Sequence, residues 1–325
     1  MVENQALKDT GAYLEAIICG VGLCIARKLL DICSFKPLAK IGMKLPKNAE
    51  VAEVKSNLSH YLSRLGNKKN GEAEKLEVDC TELLQGRDEN LLKFCEACWR
   101  ATMYSVMIWL GYEALHSREW FFPNVEKAFI PGSPMHREIR TYIIVSVGYY
   151  IQLLVYVFVE TRRKDFLEMV IHHVITLTLI TIAWFCDQWK IGCVICFLHD
   201  LSDPFLEVAK IFNYLKPTRS WADPLSTLCF VIFMTIFGIT RLGMFPIYVL
   251  HPVKTIIPDF VMSFYMLSIL QVLHIYWFFL ILKTAKKAIT GDLNDTREKK
   301  SSWDLGRWNS VRKQILELAG SKKDN

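Results

Sequence analysis

Arg162-Arg163-Lys164-Asp165-Phe166-Leu167-Glu168-Met169-Val170-Ile171-His172-His173-Val174-Ile175-Thr176 carries three cations into an apolar segment that holds two adjacent histidines. Ionisable side chains inside a hydrocarbon span are costly, so they are rare unless they act on something. Glu168, His172 and Thr176 recur every four residues. As a helix, the run therefore places a carboxylate one turn before the His172 ring and a hydroxyl one turn after it. His173 points about 100° away around the same helix and must meet a different neighbour.

A second run repeats the pattern: His199-Asp200-Leu201-Ser202-Asp203-Pro204-Phe205-Leu206-Glu207-Val208-Ala209-Lys210. His199, Asp203, Glu207 and Lys210 make one polar stripe on an otherwise apolar helix, and two facing stripes would line a single intramembrane cavity. Pro204 has no N–H for the carbonyl of Asp200, so a kink is expected beside the acidic pair.

Around these runs lie further apolar segments. Of the chain's 325 residues 52% are hydrophobic, too many for an ordinary soluble domain and fitting an all-α, polytopic membrane helix bundle. A span needs roughly 20 apolar residues to cross about 30 Å of hydrocarbon. Seven windows meet this loosely, near 11–33, 99–117, 140–160, 167–186, 191–212, 225–250 and 259–282. The expected organisation is a lumenal N-terminus and first span over 1–33, a cytosolic basic segment and linker over 34–91, a membrane domain over 92–288, and a cytosolic tail over 289–325. Residues 65–91 read as a polar linker without a core of its own. In the tail Trp308, Val311, Ile315 and Leu318 recur at helical spacing, as in a helix lying on the bilayer or against a partner, or in a solvated, frayed tail.

Orientation follows from the basic residues. Lys36, Lys40, Lys44, Lys47, Lys55 and Arg64 lie between the first two windows, and the tail after Lys283 is equally basic. Both belong in the cytosol, with Arg162, Arg163 and Lys164 on the same side. Arg118, Lys127, Arg137 and Arg140 run against this pattern, in a loop placed outside. Glu15 interrupts the first window, which lacks a cleavage pattern and reads as a retained span. Lys322 and Lys323 resemble a dilysine retrieval signal of endoplasmic-reticulum membrane proteins. The sequons at Asn57 and Asn294 fall in segments placed in the cytosol, so neither is expected to carry sugar.

The net charge of +6 flanks the spans, with no aromatic-interleaved basic platform, and does not suggest nucleic acid. Ten cysteines include Cys95/Cys98 and Cys193/Cys196, which read as buried thiols packing as small hydrophobes.

The polar clusters admit more than one chemistry. Eight histidines, with His60, His116, His136, His251 and His274 dispersed, are too few for a membrane di-iron centre; a mononuclear zinc on His172, His173, His199 and Asp203 is an alternative, and helix-to-helix adhesion another. Acyl transfer fits the residue types better and needs no metal or cofactor. An imidazole serves as nucleophile or general base, and a buried carboxylate orients it or takes a proton from an attacking amine. Serine-hydrolase and phosphate-loop signatures are absent.

At these residues the chain resembles the TLC-domain family of endoplasmic-reticulum membrane proteins and, within it, the ceramide synthases of longevity-assurance type. The resemblance runs from about Leu92 to Lys286. Its most specific part is Arg162 to Phe166 with Glu168, His172 and His173, followed by His199, Asp200, Asp203, Leu206, Glu207 and Lys210. Lys93-Phe94-Cys95-Glu96 with Trp99-Arg100, and Thr240-Arg241-Leu242-Gly243 with Phe245-Pro246, support it.

The resemblance implies a six-helix core and transfer of a fatty acyl group from acyl-CoA, a co-substrate, to the amine of a sphingoid base. It implies His172 as acyl acceptor and Asp203 as the group that assists deprotonation of the amine. His173, His199 and Asp200 would line and orient the site, and Arg162, Arg163, Lys164 and Lys210, with Lys216 and Arg219, would be candidate contacts for the CoA phosphates. Membrane lipids and a homo- or heterodimeric partner of the same kind are implied as well. The segment Ile247 to Pro258, read as a short lumenal loop, is where the family tunes acyl-chain choice. A non-catalytic lipid sensor or carrier on the same scaffold would be marked by loss of the histidine pair or Asp203, and neither is lost.

Overall fold

The structure, a computed structural model, describes residues 2–65, 71–132, 134–257, 259–289 and 303–320. Lys322, Lys323 and Asn294 lie outside the described residues. No strand occurs among those that are described, and the protein is an all-α membrane helix bundle.

Helix α1 (Val2–Leu30) continues through a π-helical turn (Asp31–Phe35) into α2 (Lys36–Gly42). α3 (Asn48–Leu65) precedes α4 (Gly71–Leu115), a single 45-residue rod. At 1.5 Å per residue α4 is about 70 Å long, more than twice the hydrocarbon thickness. α5 (Arg137–Val157), α6 (Phe166–Phe185), α7 (Trp189–Asp200) and α8 (Asp203–Leu215) follow. α9 (Ala222–Phe237) runs on through two π-helical turns into α10 (His251–Ile256), and α11 (Val261–Ile289) and α12 (Leu305–Gly320) complete the chain.

Four segments are long and apolar enough to cross a membrane: Arg137–Val157, Phe166–Phe185, Ala222–Ile256 and Val261–Lys287. They coincide with the third, fourth, sixth and seventh apolar windows. The fifth window is a broken helix. α7 and α8 have 12 and 13 residues, roughly 18–20 Å each, so neither crosses alone. The break falls where Pro204 starts α8, at a position where its missing N–H needs no intrahelical partner. The first window lies in α1 and the π-helical turn after it, which present Leu14, Ile18, Val21, Ile25, Leu29 and Ile32 outward as an exposed apolar stripe.

Specific contacts set the helix directions. Glu15 meets Arg140 at 2.8 Å, Gly20 abuts Gly148, and Arg27 lies over the Tyr156 ring at 3.9 Å. The numbers rise together, so α1 and α5 run parallel. Between α4 and α5 the order reverses: Trp99 Nε1 donates to Gln152 Oε1 at 3.2 Å, and the Tyr104 and Tyr149 rings meet edge-on farther along. Arg140, against the charge rule by sequence, is thus paired with the carboxylate that interrupts the first window. Gly20 and Gly148 are small for a steric reason, since a Cβ at Gly20 would come within 2.9 Å of the Gly148 carbonyl oxygen.

Three readings change with the structure. Residues 71–91, read as linker, are the first half of α4. Ala73, Leu76, Cys80, Leu83 and Leu84 form a buried stripe there, packed against Val51, Val54 and Leu58 of α3. Secondly, α12 covers this same cluster. Trp308, Val311 and Ile315 are buried in it, while Arg312 pairs with Glu50 at 3.2 Å and Arg307 with Asp79 at 2.5 Å. The tail's apolar face is therefore satisfied within the chain, and only Leu318 of the four periodic residues is exposed. Thirdly, Ile247 to Ile256 is helical where a loop was expected.

Candidate active site

A cavity of about 690 Å³ lies between α4, α5, α6, α8, α9 and α11, with His199 at the end of α7 also on its wall. Its walls run from Asn90 to Tyr104 on α4, from Asp203 to Tyr214 on α8 and from Trp277 to Lys287 on α11. At 1.5 Å per residue the lining is roughly 15–20 Å long. Lys93, Arg163, Lys164, Lys287 and Trp303 line one end, and His172, His173, His199, Phe237 and Arg241 the other.

The two polar runs do converge on this space. His172, His173, His199, Asp203, Glu207 and Lys210 all line it. The His172 ring lies 5.4 Å from that of His173, 6.1 Å from that of His199 and 5.2 Å, edge-on, from Trp277. Neither ring nitrogen of His172 is hydrogen-bonded among the described residues, and its Nδ1 is buried. His173 shares the cavity despite lying 100° around the helix, because the bundle wraps around that edge of α6.

Other expected neighbours fall elsewhere. Thr176 Oγ1 donates to the backbone carbonyl of His172 at 2.7 Å and not to its ring, and Glu168 does not line the cavity. Asp200 stands behind the wall, where it accepts a hydrogen bond from Tyr150 Oη at 3.1 Å. Of the six cations proposed for phosphate binding, Arg163, Lys164 and Lys210 line the cavity. Arg162 instead lies over the Phe166 ring at 4.3 Å, and Lys210 Nζ is 3.2 Å from Glu207 Oε1. Lys216 pairs with Asp223 at 2.7 Å, outside the cavity.

Residues that spacing did not single out complete the site. Arg241 Nη2 donates to the His199 carbonyl at 2.5 Å and to Asp203 Oδ1 at 2.7 Å, bridging the break between α7 and α8. It is an intramembrane cation in the sixth window, so the rule that singles out His172 applies to it equally. His274 Nε2 sits 3.0 Å from His199 Nε2, and Trp277 donates to Asp165 Oδ2 at 3.1 Å. Toward the basic end, Arg100 contacts Glu160, Glu207 at 3.2 Å and Glu96 at 3.8 Å. Arg27 adds a 2.6 Å bond to Glu160. Buried charges compensated in this way stay ordered where a lone one would be strongly disfavoured.

On the far side of His199 a narrow slot of about 50 Å³ opens between α6, α7, α10 and α11. Its lining is almost wholly apolar and includes Gly192, Ile195, Val253, Ile257 and Leu270. All ten cysteines are free, with Cys95, Cys98, Cys193 and Cys196 buried. No three His, Cys, Asp or Glu side chains converge at metal-binding spacing among the described residues.

Fold and site together define a membrane helix bundle with a cavity lined by ionisable side chains between its helices. The sequence profile of the TLC domain matches residues 93–283, from α4 to α11, and the chain belongs to the TLC-domain family. It is 37% identical over 214 residues to ceramide synthase 5 of Mus musculus, covering 63% of this chain and 50% of that one. Ceramide synthase 3 of Homo sapiens is 35% identical over 214 residues, with 63% and 54% covered. Ceramide synthase 4 of Bos taurus is 34% identical over 198 residues, with 58% and 49% covered. The chain spans about half the length of these curated relatives.

Proposed function

We propose that this protein is a ceramide synthase, transferring a fatty acyl group from acyl-CoA to the amine of a sphingoid base to give (dihydro)ceramide and CoA. The carrying observation is His172, an imidazole with neither nitrogen hydrogen-bonded among the described residues, on a cavity wall shared with His199 and Asp203. Membership of the TLC-domain family and similarity to proteins named ceramide synthases support the same reading.

In this mechanism a nitrogen of His172 attacks the thioester carbonyl, the C–S bond breaks, and CoA leaves with the proton the imidazole gives up. The amine of the base then attacks the acyl-imidazole. The new C–N bond forms as the bond to His172 breaks, and Asp203 takes the proton the amine loses and returns it to the departing His172 nitrogen, restoring the neutral imidazole. Arg241 holds Asp203 in place. Arg163, Lys164 and Lys210 at the basic end supply the field for the CoA phosphates, and the apolar slot beyond His199 receives the end of the acyl chain. Location in the endoplasmic-reticulum membrane, with the basic end facing the cytosol where CoA is found, and pairing with a second synthase copy belong to the same proposal.

The test is mass spectrometry of purified protein given acyl-CoA alone and then dihydrosphingosine, with His172→Ala and Asp203→Ala in parallel. An acyl adduct on His172 that disappears as N-acyl product forms is the expected result. Product without an adduct would make His172 a base for direct amine attack, and absence of product at every chain length would overturn the assignment.

A further inference from the structure

His274 lies on α11, 75 positions from His199, and is fully buried; yet its Nε2 is 3.0 Å from His199 Nε2. The other nitrogen of His199, Nδ1, is 2.7 Å from the backbone carbonyl of Ile195. A carbonyl only accepts, so Nδ1 carries a proton. In a neutral ring Nε2 is then a bare lone pair, and the hydrogen between the two rings belongs to His274. The reverse arrangement would make His199 a doubly protonated cation. A cation, Arg241, donates to the His199 carbonyl at 2.5 Å, and no carboxylate is hydrogen-bonded to the ring among the described residues. A buried cation so placed would be strongly disfavoured. Both nitrogens of His199 are thereby occupied, whereas those of His172, across the cavity, are not.

We propose that His274 is a positioning residue: it donates Nε2–H to His199, locks that ring as the neutral Nδ1–H tautomer, and so makes His199 a fixed wall against which His172 works, not a proton carrier. The kinetic part rests on the acyl-transfer reading; the tautomer part does not.

Two variants separate donor from shape. His274→Gln keeps an N–H donor of similar reach, and His274→Phe keeps a ring without one. We expect His274→Phe to lower kcat about tenfold, the worth of one ordinary hydrogen bond, with KM for acyl-CoA moving less than about twofold. His274→Gln should recover most of that loss at an unchanged thermal midpoint. Wild-type kcat in His274→Phe, or a glutamine variant no better than phenylalanine at equal stability, would overturn the proposal. In parallel, nitrogen NMR of histidine-labelled wild type, with His199 assigned through His199→Gln, should show a protonated Nδ1 and a hydrogen-bonded, unprotonated Nε2. A protonated Nε2 would overturn it whether or not the variants fold. If wild type transfers no acyl group, the acylation reading fails, while the spectrum still decides the histidine pair.

Discussion

The guanidinium of Arg27, on the first helix, lies 2.6 Å from Glu160, just past the end of α5. Arg100 of α4 grips the other oxygen of the same carboxylate. One side chain thus ties three helices together at the basic end of the cavity.

Glu160→Gln should therefore be among the most damaging single changes outside the reacting groups. It takes from buried Arg27 its closest carboxylate and from Arg100 one of three, a loss of at most about 3–5 kcal/mol by precedent for broken buried pairs. Burial alone would raise the pKa of Glu160; Arg100 and Arg27 outweigh it and hold the carboxyl below its usual range. A lowered folded value gives stability that is present above the unfolded pKa and lost as pH falls through the folded one. The thermal midpoints of wild type and Glu160→Gln should differ most at neutral pH and converge below about pH 4, the ordinary carboxylate range.

Gly148→Leu should push α1 off α5. Its first added atom would already lie 2.9 Å from the Ala16 carbonyl oxygen and 3.0 Å from the Gly20 nitrogen, both backbone atoms that cannot swing aside. Overpacking of this kind costs about 1–3 kcal/mol. Gly22→Leu, on the same α1 helix with nothing within 4 Å of its Cβ position, is the matched control and should leave the midpoint unchanged.

Leu270→Phe should shorten the preferred acyl chain, and Ile257→Ala should lengthen it. Both residues line the slot beyond His199, whose volume of about 50 Å³ is small enough for single side chains to matter. Competition among saturated acyl-CoAs of graded length, read by mass spectrometry of the N-acyl products, measures the shift. An unchanged product distribution in both variants would remove the slot from the acyl path.

Trp308→Ala should release α12 from α3 and α4. The indole is 2% exposed, and truncating a buried tryptophan costs about 3–5 kcal/mol locally. Hydrogen exchange should rise across 305–318 and 48–65 while α6 and α11 stay protected. Uniform loss of protection would mean that this layer is inseparable from the membrane bundle.

The stripe His199, Asp203, Glu207 and Lys210 was legible because helical spacing projects all four residues to one side, and all four line the cavity. Glu168 shows the limit of the same reasoning: spacing gives a face but not how far the neighbouring helices wrap around it. His274 carried no local signal, since a lone histidine in an apolar helix acquires a partner only when α11 packs beside α7. The first half of α4 was misread for a different reason. Its polar residues outnumber the apolar ones, yet Ala73, Leu76, Cys80, Leu83 and Leu84 hold the three- and four-residue spacing of a buried stripe.

The interruption between α7 and α8 has an electrical consequence. A helix C-terminus and a helix N-terminus meet there, bearing about half a negative and half a positive charge respectively. Arg241 and Asp203 sit at that junction as an ion pair. Dipole ends and side chains alike sum to nearly zero, although each is a strong local source of field. A membrane potential does about 2.3 kcal/mol of work per net elementary charge per 100 mV, so it finds little here to pull on. The junction is voltage-neutral by construction, and its chemistry should proceed alike in polarised and depolarised membranes.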